Sequence, residues 1–260
     1  MTVAVFGLGA VEAEFWRWLF VMTRIGAALL AAPLFGAANV PAQVRVIVTG
    51  AIAALVCGWT GVAAPPALLS LAGLLAVAGE VLIGLALGFV LQLAFAAPVI
   101  AAEIISGAMG MTLAATADPQ GGAPSPALGQ YLTFVLTALF LALGAHLQWI
   151  ALLVESYAAF PPGATWLGPE RLETIAGFAA DTFATAVVIA LPVTLILLLV
   201  QLLCGVLSRS APALNLFSLG LPAGVLGGLA ALILAAPVIA EQMTDLAVLA
   251  LANAEEVLRR

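Results

Sequence analysis

Residues 189–207 read IALPVTLILLLVQLLCGVL, an uncharged run whose apolar side chains never alternate with polar ones as a half-buried or barrel strand requires. A helix needs about 20 such residues to cross the hydrocarbon of a bilayer, so this stretch alone predicts a membrane helix. The rest of the chain agrees with it. Of its 260 residues 65% are apolar and 8% charged, whereas soluble domains average about 45–50% apolar and about 25% charged. No stretch holds the polar mixture that an extramembrane domain needs, and one membrane domain over 1–260 is expected. Low-charge stretches fall at about 15–35, 46–64, 67–102, 127–154, 175–207 and 213–251. They predict an all-α membrane protein with about six long apolar regions, several of them kinked or hairpin helices.

The third region as one straight helix would measure roughly 54 Å, nearly twice the hydrocarbon thickness. It must tilt, break into a hairpin or run clear of the bilayer, and the fifth and sixth regions pose the same problem. Candidate breaks are Gly79, Gly84, Gly88 and Pro98 in the third, Pro192 in the fifth, and Pro222, Gly227, Gly228 and Pro237 in the sixth. Gly84-x3-Gly88 and Gly220-x3-Gly224-x3-Gly228 put small residues on one helix face, where backbones approach closely. AAPVIAAE (96–103) recurs as AAPVIAE (235–241), read as coincidence in an alanine-rich chain. Polar-leaning breaks lie at 103–126 and 155–174, the second carrying Tyr157 and Trp166 as expected interfacial anchors.

The formal charge is −6, from 13 acids and 7 scattered arginines without a lysine. That scatter excludes a nucleic-acid footprint and a polybasic lipid patch, and arginine counts on the two sides do not orient the chain. Cys57 and Cys204 sit in apolar runs and read as small core residues without a redox role. The first 14 residues lack a basic n-region, so the first segment is expected to be an uncleaved anchor. Intramembrane ionisable groups are functional suspects: here Arg17, Arg24, Glu80, His146 and Asp181. Glu80 reads as an acceptor for a neighbouring helix, the alternative being a proton carrier. His146 has no His/Cys cluster for a metal and reads as a packed, hydrogen-bonded histidine. Asp181 reads as a first-turn residue favoured by the helix dipole. No nucleophile elbow, zinc-protease motif or phosphate loop is present, and no catalytic residue, metal or cofactor is expected. GAMGMTLAATADPQGGAP (107–124) is too broken to span lipid. It is either a solvent-exposed loop or a segment folded against protein or into a pore, where methionines suit an adaptable seal.

Five stretches in one order resemble the FliR family of type III export-gate membrane proteins: RIGAALLAAPLFGAANVPAQVRV (24–46), GEVLIGLALGF (79–89), MGMTLAATADP (109–119), GAHLQWIALLVESYAAFPPG (144–163) and SRSAPALNLFSLGLP (208–222). The resemblance covers roughly 15–250. It implies a non-enzymatic subunit in the bacterial inner membrane, at the flagellar basal body, joining FliP and FliQ in a closed helical assembly, contacting FlhB and FlhA, and passing unfolded flagellar subunits outward. It also implies that bent helices packed on partner chains, partly clear of lipid, account for the overlong regions. The family's plug-like element matches 107–122 within the inter-helix segment 103–126, making Gly107, Met109, Gly110, Met111, Asp118 and Pro119 candidate closure residues. Glu80, Gly84, Gly88 and the turn residues Arg209, Pro212 and Asn215 become candidates for helix packing and partner contact. Ala102, where relatives carry glycine, and the ending QGGAPSP (120–126) depart from the pattern. The rival from another class is a proton-coupled secondary transporter with Glu80 and His146 as relay.

Overall fold

The computed structural model describes residues 8–62, 70–111, 127–162, 168–210 and 216–259. Among them it has seven long helices and no strand: α1 (Leu8–Ala31), α2 (Ala42–Trp59), α3 (Leu71–Ala108), α4 (Ala127–Ala142), α5 (Ala145–Ala159), α6 (Pro169–Ser210) and α7 (Leu216–Arg259). The order follows the six apolar regions, with 127–154 divided in two. Four helices, α2, α3, α6 and α7, are long and apolar enough to cross a membrane, and α4 with α5 makes a fifth if that broken pair counts as one span.

The expected break points turn out to be continuous helix. Pro98 lies inside α3, Pro192 inside α6, and Pro222 and Pro237 inside α7. Each proline removes one backbone donor, which packed neighbours in an apolar bundle tolerate. The break falls instead at Gly144, which takes the left-handed conformation (φ 67°) that glycine adopts without a Cβ penalty. Leu143 N–H still closes on Leu139 O, and the chain then restarts as α5 with Leu147 N–H donating to Gly144 O.

The chain forms two compact units. The first comprises residues to Leu93, Gly144–Phe178 and Ala250–Arg260, with α1 at its centre. Trp18 Nε1 on α1 donates to Gly50 O on α2 at 3.0 Å, and a Cβ on Gly50 would stand 2.9 Å from the same indole. Ala145, Trp149, Leu153 and Tyr157 form the buried stripe of α5, at the spacing of one helix face. Trp149 stacks on Phe35 and donates to Leu87 O.

The second unit comprises Ala94–Leu143 and Ala179–Leu249. Its core uses the three- and four-residue spacing of one helix face: Leu132, Leu136 and Phe140 on α4, Ala186, Ala190, Val193 and Leu197 on α6, Ala231, Ala235, Ile239 and Met243 on α7. Phe95 meets Phe140 edge-on at 5.8 Å. The opposite faces of α6 and α7 are equally apolar, with Leu198, Leu202, Leu203, Ile233 and Leu234 exposed. Apolar faces this extensive mark surfaces that meet lipid or other protein.

Candidate functional sites

In the first unit the polar groups converge on Arg24, which is wholly buried in the second half of α1. A guanidinium carries five N–H donors, and all five find acceptors. Nε and Nη2 donate to the two carboxylate oxygens of Glu80 on α3 at 2.8 and 2.9 Å. Nη1 donates to Ser156 O and Ser156 Oγ at 2.7 and 3.0 Å, and Nη2 also to Phe160 O at 2.8 Å. The two backbone carbonyls, of Ser156 and Phe160, lie at the C-terminal end of α5, the negative pole of the helix dipole, and Ser156 O also accepts the Phe160 N–H. One cation is thus matched by a full carboxylate and a helix end. Its flat face lies 4.1 Å from the centroid of the Tyr157 ring, and the Tyr157 hydroxyl donates to Val21 O back on α1.

Glycines bring the helices close enough for this clamp. Glu80, Gly84 and Gly88 recur at one-turn intervals along one face of α3. A Cβ on Gly84 would overlap Arg24 O and stand 2.9 Å from Ala27 Cβ, and one on Gly88 would lie 2.5 Å from Ala28 O. Arg17, two turns before Arg24, closes α2 in the same manner by donating to Cys57 O, Thr60 O and Val62 O beyond its ion pair with Glu14. Arg45 donates to Ala37 O and Val40 O. Arginine suits such work because its rigid fork reaches several carbonyls together.

The second unit gathers around the end of α3. Met109 is buried, Gly110 turns left-handed at φ 80°, and Gln201 Nε2 on α6 donates to Ala108 O at 2.6 Å. A Cβ on Gly224 would sit 2.7 Å from Met109 O, and one on Gly228 would overlap Met109 Cε and stand 2.7 Å from Cγ. Beside this seat lies an apolar groove of 570 Å³, whose lining includes Met109, Met111, Tyr131 and Leu229.

The remaining candidates are placed as follows. Gly107 is exposed, with nothing near its Cα that a Cβ would meet. Arg209 is exposed in the last turn of α6 and has no ion-pair partner among the described residues. Asp118, Pro119, Pro212, Asn215 and Trp166 lie outside the described residues. Tyr157 is no interfacial anchor; it is 3% exposed and part of the clamp. Asp181 is not in a first turn, since α6 begins at Pro169 and its first-turn acid is Glu170. His146 is half-buried, but its Nδ1 finds no hydrogen-bond partner among the described residues. Cys57 and Cys204 are half-buried instead of core residues. The sequence alone does not mark Tyr157, Ser156 or Gln201 as members of these sites. Among the described residues no three His, Cys, Asp or Glu side chains come together.

Long apolar helices, exposed apolar faces and a buried ion pair between helices define a multi-pass, all-helical membrane protein. The chain belongs to the bacterial export proteins, family 1, whose family model matches residues 15–249. It is similar to the flagellar biosynthetic protein FliR of Pectobacterium carotovorum, at 32% identity over 85% of this chain and 84% of that protein. It is 34% identical to FliR of Bacillus subtilis over 79% and 80% of the two chains, and 31% identical to FliR of Caulobacter vibrioides over 86% and 90%.

Proposed function

We propose that the chain is a non-enzymatic subunit of the flagellar type III export gate in the bacterial inner membrane. With FliP and FliQ, and in contact with FlhB and FlhA at the basal body, it forms the channel through which unfolded flagellar subunits cross. The observation that carries this reading is the family match over 15–249, together with FliR relatives aligned over most of their own length. The physical features fit the role. The outer faces of α6 and α7 offer apolar surface for lipid and partner helices. The Arg24 clamp gives the first unit a fixed frame, because both Glu80 oxygens are held by the guanidinium. No hydrogen bond joins Glu80 to His146 among the described residues, as a relay of the two would require.

In this mechanism the segment 107–122 closes the path by packing, with Gly107, Met109, Gly110, Met111, Asp118 and Pro119 as closure residues, and an arriving subunit displaces it. The ion barrier then depends on contact and not on a titrating group. Deleting 112–122 tests the mechanism: cells are expected to leak small ions while the subunits still assemble. An intact barrier in an assembled mutant contradicts it.

A further inference from the structure

We propose that Gln201, Gly224 and Gly228 are positioning residues of the closed state, holding the Ala108–Met109 end of α3 in one register against α6 and α7. The inference rests on the gate reading above and concerns only where α3 ends. Gln201 is a lone amide on a surface whose neighbours Leu198, Leu202 and Leu203 are exposed leucines. A polar group among apolar surroundings is costly without a partner; this one has Ala108 O, the carbonyl of the last residue of α3. One residue on, Met109 fills the notch left by two missing side chains, its carbonyl facing Gly224 and its thioether facing Gly228. Gly220, next in the same row, has nothing within 4 Å of the point where a Cβ would stand, so the close fit is confined to the methionine seat. Gly110 then turns the chain left-handed, its N–H on Gly107 O at 3.0 Å. The register of Met109 therefore fixes where Met111 stands on the wall of the apolar groove. An unbranched thioether leaves such a notch by rotating its own torsions, without moving either helix. That makes the seat a reversible latch.

The test uses the chain in cells together with its gate partners, with three readings: potassium efflux at rest, secretion of flagellar subunits, and yield of the purified complex. Gln201→Leu keeps the volume on an exposed face and removes only the bond to Ala108. Loss of one hydrogen bond shifts a closed–open balance by about fivefold, and resting efflux is expected to rise by that order while secretion and yield hold. Gly228→Ala overpacks the seat and is expected to raise efflux by about tenfold; Gly220→Ala, in the same row with open space, leaves it unchanged. Unchanged efflux in an assembled, secreting Gln201→Leu complex overturns the inference, and so does a loss of yield and secretion in step with the leak. If Gly228→Ala fails to assemble, Gln201→Leu alone decides. Export that persists without this chain sinks the gate reading itself, before any variant is compared.

Discussion

Replacing Glu80 by leucine removes the carboxylate that accepts two of the five Arg24 donors. Three bonds to Ser156 and Phe160 remain, but they lead to neutral groups and a helix end, which together carry only about half a charge. Removing one partner of a buried pair costs about 3–5 kcal/mol, because the other charge stays buried. Side-chain bonds in membrane bundles average only about 0.6 kcal/mol, so the lower end, about 3 kcal/mol, is expected. Arg24→Met alone leaves Glu80 buried without its cation and costs a similar amount. The double variant buries no charge, and it loses only packing and the ties to α5, about 2 kcal/mol, since apolar replacement of a whole buried pair is often close to neutral. The singles thus sum to about 6 kcal/mol against about 2 for the double, a coupling of about 4 kcal/mol. The assay is the heat stability of the detergent-extracted protein, followed as the fraction that stays monodisperse in each of the four variants of the cycle. A double variant as damaged as the sum of the singles, to within about 0.5 kcal/mol, refutes the clamp as the organiser of the first unit.

Gly84→Ala is expected to destabilise by about 1–3 kcal/mol through overpacking against Arg24 O, whereas Gly79→Ala, with nothing within 4 Å, is expected to stabilise α3 by up to about 1 kcal/mol; thermal denaturation of the two reads the contrast, and equal shifts contradict the close approach of α1 and α3. Tyr157→Phe keeps the ring beside Arg24 and loses the bond to Val21 O, about 1 kcal/mol, while Tyr157→Leu loses both and falls further in the same measurement. Arg17→Lys keeps the charge but reaches fewer of the carbonyls that close α2, so hydrogen exchange at the end of α2 is expected to quicken; unchanged protection there counts against the cap.

Local pattern carries the helices well, because hydrophobic runs and their lengths are properties of contiguous residues. The glycines at 84 and 88 announce a small-residue face, and Glu80 is readable as an acceptor for a neighbouring helix. What stays hidden is the partner. Arg24 lies 56 residues from Glu80 and 132 from Ser156, and no periodicity records a pairing across that distance. Tyr157 misleads for the same reason: a tyrosine near Pro161 and Pro162 has the composition of an interfacial belt, and only the fold reveals a cation over its ring. The start of α6 does have a local signal. Gly168-Pro169-Glu170 places proline at the first helical position and an acid in the first turn, well before the apolar run that makes Asp181 look like a helix start. Gln201 reads as a blemish in a leucine run, and only the fold sets Ala108 O against it.

The central claim, that this chain is one subunit of a larger gate, is tested most directly by expressing a tagged copy with and without FliP, FliQ and FlhB and sizing the detergent-extracted product. A stable, larger complex that forms only in their presence is the predicted result. A well-behaved monomer or homodimer, unchanged by those partners, contradicts the account and returns attention to Glu80 as the centre of a transporter.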